Sequence, residues 1–232
     1  MKRISVTLFA LLLLYQIAYS QEIVKSFFWE VDDPIDQLDS TNIVKALKIR
    51  FEISEDYKLG KDRVSEIDDL GYVHERYTQY YKGIKVEDAD IRVRYLNGVF
   101  HSANGEYINA PYIDLSIALS KGNAIQKAIA YINAEEYMWE NEANNNWLSM
   151  IADSEKKSFY PDAEIVICEN NLDAQDTLFY VAYKVNVFAK EPFRYDYVYV
   201  DAKTGKILDV LTSTLGHQNV SKQRKKTLLL GV

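Results

Sequence analysis

The 232-residue sequence predicts an α+β protein of two consecutive units, each a helix packed on an antiparallel sheet. Three observations carry that expectation. A stretch with helical periodicity is followed by alternating strand-like runs, and the same order then occurs a second time. Asn-Gly pairs stand between alternating runs, where a tight hairpin needs positive φ at both central residues. The chain also holds 18 tyrosines against 9 phenylalanines and 3 tryptophans, a side chain suited to strands with one wetted face.

The first twenty residues stand apart from the fold. Lys2 and Arg3 give a positive start, Val6 to Leu14 is apolar except for Thr7, and Ala18-Tyr19-Ser20 sets small residues at both positions a signal peptidase reads. Residues 1–20 are therefore expected to be a secretory signal peptide, with an apolar run too short to span a bilayer permanently. The mature chain is expected to be secreted or periplasmic.

A first unit is expected over residues 21–112. Asp39-Ser40 precedes a stripe of Ile43, Val44, Leu47 and Phe51, predicting a capped helix at about residues 38–52. From Tyr72 the period becomes two. Tyr72–Tyr81 reads as a strand, Lys82-Gly83 as its turn and Ala89–Leu96 as a second strand, with Ile91, Val93 and Tyr95 on one face and Arg92 and Arg94 on the other. Asn97-Gly98 then turns the chain into a strand at Val99–Ala103. A second Asn-Gly, Asn104-Gly105, precedes Glu106–Ile108.

The second unit is expected over residues 113–211. Ser120 caps a helix whose stripe is Ala124, Ile125, Ala128, Ile129 and Ile132, and residues 141–146 form a polar loop. Strands are expected at Ala163–Cys168, Leu178–Ala189, Tyr195–Val200 and Ile207–Leu211, the last entered through the turn Asp201–Lys206. Residues 212–232 hold Lys222, Arg224, Lys225 and Lys226 and no acid, and are expected to be a disordered basic tail.

Composition narrows the function. Hydrophobic residues at 48% and charged residues at 26% allow a packed core. The formal charge of −7 falls on the body rather than the tail, which argues against nucleic acid or an anionic membrane as the main partner. Cys168 is the single cysteine, so no internal disulfide can form, and its apolar surroundings mark it as a small core residue.

No constellation reads as catalytic. His74-Glu75 opens like a zinc-protease helix, but the residue four positions on is Thr78, and only His-Glu-x-x-His sets two imidazoles on one helix face. The local pattern is a strand, where residues four apart are about 13 Å apart. His74, His101 and His217 are the only histidines, and they have no useful ligand spacing. No Gly-x-Ser-x-Gly elbow or phosphate-cradling loop appears, and Asp32-Asp33 and Asp68-Asp69 lack the spacing of a calcium loop. No metal, cofactor or catalytic residue is expected.

Asp69-Leu70-Gly71-Tyr72-Val73-His74 and Arg76-Tyr77-Thr78-Gln79-Tyr80-Tyr81-Lys82-Gly83-Ile84-Lys85-Val86 together resemble the fungalysin/thermolysin propeptide (FTP) domain. Ile91–Arg94, Asn97-Gly98 and Ser102-Ala103-Asn104-Gly105 continue the resemblance. Leu178–Val187, Glu191-Pro192 and Tyr197–Ile207 are similar to the PepSY module that follows it in secreted thermolysin-like proteases. The residues matching these motifs are Gly71, Arg76, Gln79, Tyr80, Tyr81, Gly83, Val86, Asn97, Gly98, Asn104, Gly105, Asp201, Thr204 and Gly205.

The resemblance implies a non-catalytic pro-region that assists folding of a thermolysin-like metalloprotease catalytic domain, or inhibits it, with that domain as partner. Contact is expected first at Gln79–Val86 and after Asp209. In such precursors the zinc helix follows the pro-region, whereas this sequence runs to Val232 without one. A secreted propeptide-like protein that chaperones or inhibits such an enzyme, in cis or in trans, is the leading expectation. A severed protease precursor without activity of its own, or a cell-envelope binding module on the same fold, are the alternatives.

Overall fold

The computed structural model describes residues 24–31, 38–141, 143, 158–176 and 178–213. The expected signal peptide, most of the polar loop at 141–146 and the tail from residue 214 lie outside the described residues. The chain divides into two compact units, Met1–Ile113 and Asp114–Val232. Among the described residues there are ten strands, two α-helices and one 3-10 turn. The protein is thus mostly β, which overturns the expected pair of helix-on-sheet units.

In the first unit five antiparallel strands lie in the order β1 (Val24–Glu30), β5 (Val99–Ile108), β4 (Ile84–Leu96), β3 (Tyr72–Tyr81) and β2 (Tyr57–Val64). Strands β1 and β2 leave little periodic signal. After Leu59, β2 is polar and exposed, because it is hydrogen-bonded on one side only and rims the sheet.

The helix of this unit, α1, spans only Ile43–Arg50. Its eight residues reach about 12 Å, against about 43 Å for the thirteen residues of β4. It cannot cover such a sheet. Ile43 and Leu47, four apart, are its fully buried anchors, each contributing about 2 kcal/mol by burial. The rest of the covering layer is aromatic and comes largely from the strands. Phe27 meets Phe51 at 4.1 Å between ring centroids, Trp29 meets Phe100 at 4.5 Å, and the Arg50 guanidinium lies 4.6 Å over Trp29.

The helix also begins later than expected. Asp39 Oδ1 accepts from the Thr41 N–H at 2.8 Å and from Thr41 Oγ1 at 2.6 Å. Asn42 Oδ1 in turn accepts from the Asp39 N–H at 3.0 Å. These bonds build a turn ahead of the helix, and Asn42 at its start makes no capping bond.

Both expected hairpin turns form. Lys82 and Gly83 have φ of 47° and 90°, and Asn97 and Gly98 have φ of 53° and 82°, the pair of positive values a two-residue hairpin needs. Asn104-Gly105 does not turn the chain. Gly105 lies within β5, opposite Ile91 on one side and Phe27 on the other. A Cβ there would stand 2.1 Å from the Asp90 carbonyl oxygen. Glycine is required by a neighbouring backbone rather than by a bend.

In the second unit β7 (Ala163–Glu169), β8 (Phe179–Glu191), β9 (Arg194–Asp201) and β10 (Ile207–Ser213) pair antiparallel in that order, and the two-residue β6 (Glu136–Tyr137) pairs with the end of β8. Helix α2 (Lys121–Ile132) starts where the sequence places it, with Ser120 Oγ accepting from the Asn123 N–H at 3.3 Å. It ends at Asn133, whose left-handed φ of 46° lets the chain leave the helix. Ala124, Ile125 and Ala128 are its buried face, and the helix packs on β7, β8 and β9.

The other side of these strands holds a second small core of Val166, Cys168, Ala182, Tyr199 and Leu208. Cys168 is buried there. The segment from Asn170 to Asp176 is tied to it by a hydrogen bond from the Leu172 N–H to the Leu208 carbonyl at 3.1 Å. No helix among the described residues is long and apolar enough to cross a membrane.

Candidate functional site

The motif residues of the first unit gather on β3, β4 and β5, and most of them build architecture. Gly71 takes a φ of 85° in the turn that enters β3. Gln79 is buried, and its carboxamide closes both hydrogen bonds on the backbone of Ile108, Nε2 donating to the carbonyl at 2.7 Å and Oε1 accepting from the N–H at 2.8 Å. Tyr80 lies against Gly60, where an added Cβ would come within 2.9 Å of its ring. Tyr81 is buried 4.9 Å from Tyr57, with Lys82 Nζ 5.1 Å from its ring centroid, and Val86 is buried beyond the turn. Within the expected contact surface at Gln79–Val86, Gln79, Tyr81 and Val86 are buried, Tyr80, Ile84 and Lys85 half-buried, and Lys82 and Gly83 form the exposed tip.

Arg76 is the motif residue that reaches outward. Its Nε is 3.5 Å from Asp90 Oδ2 and 4.0 Å from Asp62 Oδ2, on the face that also carries Arg92. The Asp62 carboxylate also accepts from Thr78 Oγ1. Asn104 stands half-exposed in mid-strand beside Arg92.

On the opposite face the fold buries a carboxylate that periodicity does not single out. Glu75 is 5% exposed. Its Oε1 accepts from Lys61 Nζ at 2.6 Å and its Oε2 from the Tyr77 hydroxyl at 2.5 Å. Burial, and after it the bond to Glu75, pushes the Tyr77 hydroxyl well above the usual tyrosine range. Burial does the same to the hydroxyls of Tyr57 and Tyr95. These tyrosines stay protonated at any physiological pH, and the Tyr77 and Tyr57 hydroxyls donate, to Glu75 and to the Ala110 carbonyl. An acid on the alternating face of β3 that also carries Val73, Tyr77 and Tyr81 was the signal for Glu75. The partner Lys61 lies on a strand with no alternation to point to it.

In the second unit Asp201, Thr204 and Gly205 form one turn. Asp201 Oδ1 accepts from the Lys203 N–H at 2.8 Å and Oδ2 from Thr204 Oγ1 at 2.6 Å. The Gly205 N–H donates to the Asp201 carbonyl at 2.9 Å from a φ of 75°. Here too the motif shapes the chain. The segment after Asp209 continues β10 to Ser213 and then leaves the described residues.

His74 lies on β3 with Thr78, as the alternation predicts, and its Nε2 meets Asp68 Oδ2 at 3.0 Å. His101 lies near it, 3.4 Å from the Tyr72 hydroxyl through Nε2, and His217 is outside the described residues. Among the described residues no three His, Cys, Asp or Glu side chains are grouped so as to hold a metal ion.

The marked residues of the first unit are thus hairpin turns, a buried glutamine clamp and a close strand approach. Residues 63–107 match the family model described as the Fungalysin/Thermolysin Propeptide Motif, a propeptide motif and not a catalytic domain. The match runs from the end of β2 nearly to the end of β5 and contains every motif residue from Gly71 to Gly105. No curated protein matches the chain. Among solved structures the chain is similar to the Bacillus megaterium YpeB C-terminal domain at 12% identity and a TM-score of 0.36, over 81% of this chain and 72% of that one. A likeness that loose bears on neither fold nor function.

Proposed function

We propose that this protein is a propeptide-type partner of a thermolysin-like zinc metalloendopeptidase, helping the catalytic domain to fold, holding it inactive, or both. The observation that carries the proposal is the propeptide motif at residues 63–107. A folding barrier falls when a preformed surface binds the partly folded enzyme more tightly than the unfolded chain. The first unit suits that task because its sheet is internally braced, by the Gln79–Ile108 clamp and the Lys61–Glu75–Tyr77 cluster. In this proposal the motif residues act through the fold they impose.

Propeptides of secreted proteases are exported with their enzymes, and the basic, apolar start of the sequence fits that route. Residues 113–211 serve in this proposal as a PepSY-like companion unit. The test mixes the purified protein with a denatured thermolysin-like catalytic domain and follows recovery of proteolytic activity, with a parallel titration of the mature enzyme. Faster or greater recovery, or dose-dependent inhibition, is the expected result. Neither effect at micromolar protein sinks the proposal.

A further inference from the structure

The loop from Ser65 to Gly71, between β2 and β3, is held by its own hydrogen bonds. The Ser65 N–H donates to the His74 carbonyl at 2.8 Å, and Ser65 Oγ accepts from the His74 N–H at 2.9 Å. The Asp68 N–H donates to the Tyr72 carbonyl at 2.9 Å, and the Gly71 N–H to the Asp68 carbonyl at 2.9 Å. Asp68 Oδ1 accepts from the N–H groups of Leu70 and Tyr72 at 3.0 and 2.9 Å, while Oδ2 meets His74 Nε2. Yet the side chains this scaffold displays are apolar. Ile67 is 72% and Leu70 78% exposed. A slack loop would fold them inward, whereas this one fixes them in water, the arrangement of a surface that awaits a partner.

Beside Leu70 opens a cavity of about 280 Å³ lined by Asp68, Leu70, Tyr72, His74, Arg94 and His101. Arg94 is the cross-strand neighbour of His74 and has no ion-pair partner among the described residues. Tyr72 and His101 stand edge to face, 5.2 Å between centroids. His101 Nδ1 is buried without a hydrogen bond and faces Glu30 Oε1 at 4.0 Å. Two carboxylates are near, and neither serves Arg94. Asp68 is engaged by two N–H groups and His74, and Glu30 does not line the cavity.

The geometry points to a docking site for a carboxylate carried on an apolar stretch of a partner polypeptide, with Arg94 taking the carboxylate and Ile67 and Leu70 packing on its apolar neighbours. A guanidinium presents its donors in a plane that matches a carboxylate, and Tyr72 and Leu70 flank it with apolar surface. That the occupant is a polypeptide rests on the function proposed above; the carboxylate pocket itself does not.

Two probes separate those claims. In NMR titrations of the full protein, acetyl-Leu-Glu-Leu-amide should shift Leu70, Tyr72 and His101 and bind about tenfold or more tightly than acetyl-Leu-Gln-Leu-amide. Arg94→Gln should erase that preference, and Leu70→Ser should weaken both peptides alike. Both substituted side chains are exposed, and an unchanged thermal midpoint verifies that the variants fold. Equal binding of the two peptides, shifts elsewhere or no binding overturns the pocket.

The same variants are then assayed on a thermolysin-like catalytic domain. Loss of the wild-type effect in Arg94→Gln supports docking at this site. A full effect in both variants overturns docking here while leaving the proposed function standing. Peptide selectivity without any effect on the protease supports the pocket and overturns the proposed function.

Discussion

Gln79 and Ile108 are bound side chain to backbone, with the carboxamide of one meeting both the N–H and the carbonyl of the other at 2.8 and 2.7 Å. Ile108 ends β5, and the two strands that carry the pair are separated by β4. The glutamine acts as one more rung of sheet, in a site from which water is excluded. Gln79→Ala should therefore cost about 2–4 kcal/mol in urea unfolding, since two backbone groups lose their partners. Gln79→Glu should cost as much near neutral pH, because its second oxygen faces the Ile108 carbonyl oxygen. It should recover part of the loss in mild acid, where a protonated carboxyl can donate.

The glycines at 98 and 105 share a preceding asparagine but have different reasons to be glycine. Gly98 has open space around the position of a Cβ and a φ of 82°, so Gly98→Ala should cost only about 1 kcal/mol, from backbone strain. Gly105→Ala forces a methyl against the Asp90 carbonyl and must part β4 from β5. A loss of about 3 kcal/mol or more is expected. Denaturant midpoints of the two variants measured side by side decide it, and equal losses would count against the close approach.

Glu75 is buried with two partners, and the partners set the cost of removing it. Glu75→Leu leaves the Tyr77 hydroxyl and Lys61 without an acceptor and should cost about 2–3 kcal/mol, less than a fully enclosed pair because Lys61 reaches solvent. Glu75→Gln retains an acceptor for one of them and should cost about 1 kcal/mol. The order of the two losses, read by thermal or urea unfolding, is the discriminating result.

Stability should fall at both extremes of pH for separate reasons in the second unit. The Lys203 ammonium, which donates to Asp114 at 2.8 Å, with help from the Ser116 N–H, holds the Asp114 carboxyl at about 2, against 3.8 in the unfolded chain. Its contribution is whole above 3.8 and is lost as pH falls through about 2, because there the unfolded chain binds the proton first. Tyr180 donates to Asp176 at 2.8 Å, and that bond, then burial, pushes its hydroxyl up to about 12. Its contribution is whole below 10 and is lost as pH rises through about 12. Unfolding midpoints measured across pH should show a shallower acid limb in Asp114→Asn and a shallower alkaline limb in Tyr180→Phe.

Much of the fold was legible from local pattern. Alternation marks Tyr72–Tyr81 as a strand to the residue, since one face must be apolar where it meets the core. Lys82-Gly83 and Asn97-Gly98 are turns because their φ values demand such residues, and Ser120 caps α2 because its hydroxyl can reach the Asn123 N–H. These are short-range effects, encoded within a few residues.

What failed had a common cause. The balance of strand and helix depends on edge strands such as β2, whose exposed, polar residues carry little pattern because a neighbouring strand supplies their order. Asn104-Gly105 has the letters of a turn and the job of a strand, because Asp90, fifteen residues before Gly105, comes too close for a side chain. Gln79 reads as a polar residue in a tyrosine run until Ile108 is brought against it. By itself the sequence determined the hairpins, the second helix and the propeptide motif. Only tertiary structure decided which polar groups would be buried together and which apolar ones left in water, since those outcomes depend on distances between residues far apart in the chain.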